Sequence, residues 1–152
     1  NIPCKSRTYY NKDKLIKNIL ELHKKEFMEA LFSNKIYLVE GVNDELFLKK
    51  MLLNKGKLYE QYSIFQCYGK QQFIVFLKIF NSLDIETVAL FDEDKASDDT
   101  NMAINEQIGK YIKFINNIEN DIAYNGNKGD TVKFIEYLDE FDDYDRYYDR
   151  IK

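Results

Sequence analysis

Lys35-Ile36-Tyr37-Leu38-Val39-Glu40-Gly41-Val42-Asn43-Asp44 is the stretch that decides the fold. A short β-prone run, Lys35 to Val39, ends on an acidic residue and a glycine. Behind it, Phe47, Leu48, Met51 and Leu52 recur at helical spacing, with Asn43 placed to cap the helix. The unit is strand, acidic turn, helix. It returns at Tyr62 to Cys67, where a strand is followed by the turn Tyr68-Gly69-Lys70. The helix after it, Gln71 to Leu83, carries Phe73, Phe76, Leu77, Phe80 and Leu83. A third strand, Glu86 to Phe91, runs straight into Asp92-Glu93-Asp94. The polar loop Lys95 to Thr100 then leads to a predicted helix with Ile104, Ile108, Tyr111, Ile112 and Ile115.

Outward from these units the pattern changes. Lys12 to Phe32 reads as a long amphipathic helix with Ile16, Leu20, His23, Phe27 and Leu31 on its apolar side. Downstream, Ile118 to Tyr124 reads as a fourth short strand, Asn125 to Gly129 as a loop and Thr131 to Leu138 as a helix. The Asp- and Tyr-rich tail from Asp139 to Lys152 is expected to be a solvated helical terminus with aromatic anchors. Strands alternating with helices predict an α/β fold, with a central, mainly parallel four-stranded sheet flanked by helices.

Composition narrows the chemistry. The chain has 152 residues, the size of one domain, with 45% hydrophobic and 32% charged residues and only 6 Gly and 1 Pro, which excludes a disordered or collagen-like polymer. One histidine, His23, and two cysteines, Cys4 and Cys67, cannot build a multi-histidine or four-cysteine zinc site, nor a disulfide framework. A Ser-His-Asp device would need His23, which falls in the first helix away from any nucleophile motif. No run reaches the roughly 18 apolar residues of a membrane span, and no signal peptide opens the chain, so a reduced, cytoplasmic protein is expected. The chain opens on Asn1 without a Met and is expected to be a piece of a longer protein. With 26 acidic against 22 basic residues and a net charge of -4, its chemistry rests on carboxylates.

In open parallel sheets ligands bind beyond the carboxyl ends of the strands. Glu40 and Asp92-x-Asp94 fall at two such ends, and Asp44, on the first turn of the following helix, faces the same crevice. Like charges gathered in one pocket repel and need a positive partner. Hard oxygen ligands suit Mg²⁺ or Mn²⁺, and two such ions about 4 Å apart are a known device for phosphodiester cleavage. At the second turn, Gly69 permits close approach of a phosphate and Lys70 can contact it.

These residues resemble the Toprim domain shared by topoisomerases, primases and several nucleases. The likeness rests on Tyr37-Leu38-Val39-Glu40-Gly41-Val42-Asn43-Asp44, on Tyr68-Gly69-Lys70 and on Leu90-Phe91-Asp92-Glu93-Asp94-Lys95. Within that group the chain is most similar to the overcoming-lysogenisation-defect (OLD) family of ATP-dependent endonucleases. The approach Ala30-Leu31-Phe32-Ser33-Asn34-Lys35 into the Leu-Val-Glu-Gly strand is its closest feature. Tyr68 departs from the pattern, standing where a second Gly is usual.

The resemblance implies a Rossmann-like core over residues 34–124. Residues 1–33 are then a lead-in from a missing N-terminal ATPase, and 125–152 a C-terminal loop and helical tail. It also implies a metal-dependent DNA endonuclease. Glu40 takes the acid-base or metal role, Asp92 and Asp94 hold metal, and Asp44 is an additional acidic ligand. Glu119 matches a later acidic ligand and Lys128 a downstream catalytic lysine, with Lys133 as its rival. Mg²⁺ or Mn²⁺, in two ions, is the implied cofactor. DNA, the parent's ATPase and a homodimer through the parent are the implied partners, with no membrane. No Gly-x-x-x-x-Gly-Lys-[Ser/Thr] occurs, so no ATP site is expected in these residues. Two other readings stand beside this one: another Toprim enzyme of primase or topoisomerase type, and a non-enzymatic receiver-like or interaction domain. None of the 12 tyrosines sits in a nucleophile motif, and Tyr147-Tyr148 reads as packing or surface.

Overall fold

The computed structural model describes residues 17, 21, 24–57, 60–67, 70–93 and 110–152, excepting the side chains of 70 and 71. His23 and the loop Lys95 to Thr100 lie outside these residues. In chain order the elements are α1 (Lys24–Leu31), β1 (Lys35–Val39), α2 (Val42–Asn54), β2 (Tyr62–Gln66), α3 (Lys70–Ser82), β3 (Glu86–Glu93), β4 (Lys110–Ile115), α4 (Ile118–Asp121), α5 (Thr131–Glu140) and α6 (Asp145–Tyr148). The four strands form one parallel sheet in the order β2-β1-β3-β4. Ile36, Tyr37, Leu38 and Val39 of central β1 are buried on both faces, as a sheet covered on two sides requires.

Alternation along the strands sorts the core into two layers. Tyr37, Val39, Val88, Leu90, Ile112 and Phe114 face one side, against Phe47, Leu48, Met51 and Leu52 of α2 and Phe134 and Leu138 of α5. Ile36, Leu38, Phe65, Ala89 and Phe91 face the other, against Ala30 and the α3 residues Phe73, Phe76, Leu77 and Phe80. The tail is part of the first layer: Tyr144, Tyr147 and Ile151 are buried there, and the Phe47 ring meets those of Phe114, Phe141, Tyr144 and Tyr147. The acidic residues Asp139, Glu140, Asp142, Asp143, Asp145 and Asp149 between those anchors are exposed.

Three expectations are corrected. Lys110 to Ile115, predicted as the end of a helix, is β4, paired to β3 from Val88↔Lys110 to Glu93↔Ile115. Its sequence carries both periods, and the unpaired edge of β3 selects the extended one, burying Ile112 and Phe114 on opposite sides of Lys113 in the sequence. Ile118 to Tyr124, predicted as the fourth strand, begins with the short helix α4. Ile118 and Ile122 are both buried at helical spacing, and Asn117 caps the turn by accepting the Asn120 N–H at 2.8 Å. Asn43 does not cap α2. Gly41 is the N-cap, and its N–H donates to Asp44 Oδ2 at 3.1 Å, the third helical residue reaching back to the helix start.

Candidate functional site

Parallel strands aligned in one sheet bring their carboxyl ends to one edge, and the acidic residues gather there. Glu40 directly follows β1. β3 runs two residues beyond the expected strand, so Asp92 sits in the sheet paired with Phe114 rather than in a loop. Asp44 enters from the first turn of α2, and Glu119 from α4, the segment that follows β4.

Asp44 is 4% exposed and Glu119 8%, and they are the buried charged residues among those described. Burial pushes the Asp44 carboxyl well above the ordinary range. Asp92 and Glu40 push it further, the Gly41 N–H opposes them, and Glu119 adds to the rise. Three carboxylates therefore act on the Asp44 carboxyl: buried Glu119 and the half-buried Glu40 and Asp92. Glu45, next in sequence to Asp44, has a different setting: Lys49 lies 3.2 Å away and the Gln66 amide donates to it, so its charge is matched outside the crevice.

The crevice is held by directional bonds. Asp92 Oδ1 accepts the Ile118 N–H at 3.1 Å, which ties the end of β3 to the start of α4. Asn43 Nδ2 donates to Glu119 Oε1 at 2.9 Å and to the Lys128 carbonyl at 3.3 Å. Sequence reasoning missed this role for Asn43, because its two partners lie 76 and 85 positions away and no local pattern signals them. The Lys128 backbone thus borders the crevice. Lys133 lies on the first turn of α5, and its ammonium is 4.0 Å from Asp130. Gly69, Asp94 and the side chain of Lys70 lie outside the described residues.

The donor set is all carboxylate, which fits a hard divalent ion. Among the described residues no three acidic, histidine or cysteine side chains close on one point as a finished cage. That is compatible with Mg²⁺ or Mn²⁺, which take one or two protein carboxylates and keep several waters. Cys67 is a free cysteine, buried in the second layer; its thiol is pushed well up by burial and by Glu40, the opposite of an activated nucleophile. Tyr147 is buried too. Its hydroxyl donates to Asp121 Oδ2 at 2.6 Å, and burial together with that carboxylate raises its pKa, which gives it a packing role.

Residues 31–94, spanning β1 to β3, match the overcoming lysogenization defect protein-like TOPRIM domain family. Among solved structures, the chain is similar to the C-terminal region of the Xanthomonas campestris pv. campestris OLD protein, at 13% identity over 78% of each chain with a TM-score of 0.44. No curated protein matches the chain. Among the described residues, no helix is long and apolar enough to cross a membrane.

Proposed function

We propose that the carboxylate crevice is a divalent-metal centre that hydrolyses phosphodiester bonds in DNA, as the cutting part of an OLD-type ATP-dependent nuclease. The observation that carries this reading is Asp44: a carboxylate 4% exposed, raised by Asp92, Glu40 and Glu119, with one backbone N–H opposing them. Such a cluster opposes folding unless a proton or a cation neutralises it, and a metal does so without protonating the ligands. The match of residues 31–94 to an OLD-like TOPRIM domain supports the same chemistry.

When bound, Mg²⁺ or Mn²⁺ polarises a phosphodiester and makes water a better nucleophile, and two ions suit an in-line displacement. Asp92 in β3, Asp94 two positions on in the sequence, Asp44 and Glu119 are the residues proposed to hold the metal. Glu40 shares that task and relays a proton at its carboxylate. Lys128 counters charge developing on the phosphate. Its carbonyl is tied to Asn43 beside Glu119, whereas the Lys133 ammonium is directed to Asp130, which favours Lys128 for this role. Gly69 and Lys70, following β2, are proposed to receive a neighbouring phosphate. A net charge of -4 suits cutting better than capture, so DNA is held largely by the parent's ATPase part and by its dimer, in the cytoplasm.

The test is a supercoiled-plasmid nicking assay with Mg²⁺ or Mn²⁺. Wild-type protein is expected to nick and to stop in chelator, and Glu40→Ala and Asp92→Ala to lose at least about a hundredfold in rate, as loss of transition-state charge stabilisation does. Equal nicking by either variant and wild type sinks the reading.

A further inference from the structure

We propose that Asn43 is a positioning residue, which sets Glu119 and the Lys128 loop against the carboxylate crevice; the inference rests on the metal-centre reading above. One primary amide has two N–H groups. Asn43 directs its amide nitrogen to Glu119 Oε1 at 2.9 Å and to the Lys128 carbonyl at 3.3 Å, so one side chain on α2 joins α4 and the segment leading to α5.

The loop that Asn43 holds is organised within itself. Asn127 Oδ1 accepts the Gly129 N–H at 2.8 Å, and the Asn127 carbonyl accepts from the Asp130 N–H at 3.0 Å and from the Tyr124 hydroxyl at 3.2 Å. Gly126 lies against the Tyr124 ring so closely that a Cβ there would sit 2.3 Å from the phenolic oxygen. Anchoring the Lys128 carbonyl therefore fixes an ordered unit.

The chemistry of the amide suits the place. A lysine at 43 would supply a cation that competes with metal, and an aspartate would add a further negative charge and no donor. Serine or threonine has one donor for two acceptors. A neutral double donor orders Glu119 without consuming the crevice's charge, and it leaves Glu119 Oε2 to a metal. Asn43 is not the cap of α2, so its replacement leaves the Gly41 to Asp44 bond in place and the helix start supported.

Mn²⁺ affinity, measured by calorimetry or electron paramagnetic resonance, and hydrogen exchange of the 127–129 amides test the inference in the full chain. Asn43→Leu keeps the size and removes both N–H groups; Asn43→Ala removes the group; Asn43→Gln retains the amide on a longer stem. The Leu and Ala variants are expected to weaken Mn²⁺ binding by about tenfold or more, the usual effect of losing a residue that orients a metal ligand. Exchange at 127–129 should rise while the β1 amides keep their protection. Gln is expected to recover part of both. Wild-type Mn²⁺ affinity or loop exchange in the Leu variant, or a Gln variant no better than Leu, overturns the role of Asn43 alone. Wild-type protein that binds no Mn²⁺ overturns the metal-centre reading, and this inference with it.

Discussion

Asp44 ties the carboxylate crevice to the stability of the fold. Its carboxyl is raised by burial, then by Asp92 and Glu40, so the folded state holds the proton more tightly than the unfolded chain does. The stability from this group is full below the unfolded carboxylate range, near pH 4, and is lost as pH rises through the raised folded value. Asp44→Asn keeps an acceptor for the Gly41 N–H and discards the charge. In chelator at pH 7 that variant is expected to melt a few degrees above wild type, since each kcal/mol released is worth about 2–4 °C in a chain of this size. The gain should vanish as pH falls towards 4. With Mn²⁺ added the order should reverse, wild type gaining more than the variant; thermal unfolding across pH, with and without metal, measures all three. The placement of Glu40, Asp44 and Asp92 at one edge was legible in the sequence, because Glu40 and Asp92 directly follow β-prone runs and Asp44 falls on the first turn of the next helix. Glu119 was found only through resemblance, and the work of Asn43 was hidden, since its partners come from distant segments.

The elements that sequence periodicity misassigned lie together between Lys110 and Tyr124. Lys110-Tyr-Ile-Lys-Phe-Ile satisfies a helical period when read with Ile104 and Ile108, and a strand period when read alone; the choice was made by the hydrogen-bonding edge of β3. Two left-handed residues then bracket the helix. Asn116, at φ 62°, turns the chain out of β4, and Ala123, at φ 60°, turns it out of α4. Asparagine tolerates that region and alanine does not, at about 1–2 kcal/mol per residue. Ala123 is exposed and gives up no core contact on replacement. Ala123→Gly is therefore expected to stabilise the protein by up to about 1 kcal/mol, less than the full relief because glycine loses more backbone freedom on folding. Chemical denaturation reads this as a rise in midpoint with unchanged slope. Gly126 has the opposite requirement: Gly126→Ala puts a methyl into the Tyr124 ring and should lower the midpoint.

Across the molecule, stability and the site depend on the same layer of the core. Tyr144, Tyr147 and Ile151 come from the last nine residues, 144–152, yet they pack with Phe47 of α2, the helix that carries Asn43 and Asp44. Ending the chain after Phe141 should strip that face, lower the melting temperature steeply and expose dye-binding apolar surface. Tyr147→Ala should cost about 3–5 kcal/mol, in the range of a deleted core aromatic. Tyr147→Phe should cost less, about 1–3 kcal/mol, for the lost hydrogen bond to the charged, half-buried Asp121. The net charge of -4 predicts weak DNA binding by this chain alone, falling steeply with salt in a fluorescence-anisotropy titration.

Strand-helix alternation, the acids after the first and third β-prone runs and the scarcity of histidine and cysteine were determined by the sequence itself, because each is a local pattern or a count. The tertiary structure decided which segment became the fourth strand and which distant side chains met. Those outcomes follow from pairing to an edge and from contacts between residues far apart in the chain, and no local period encodes either.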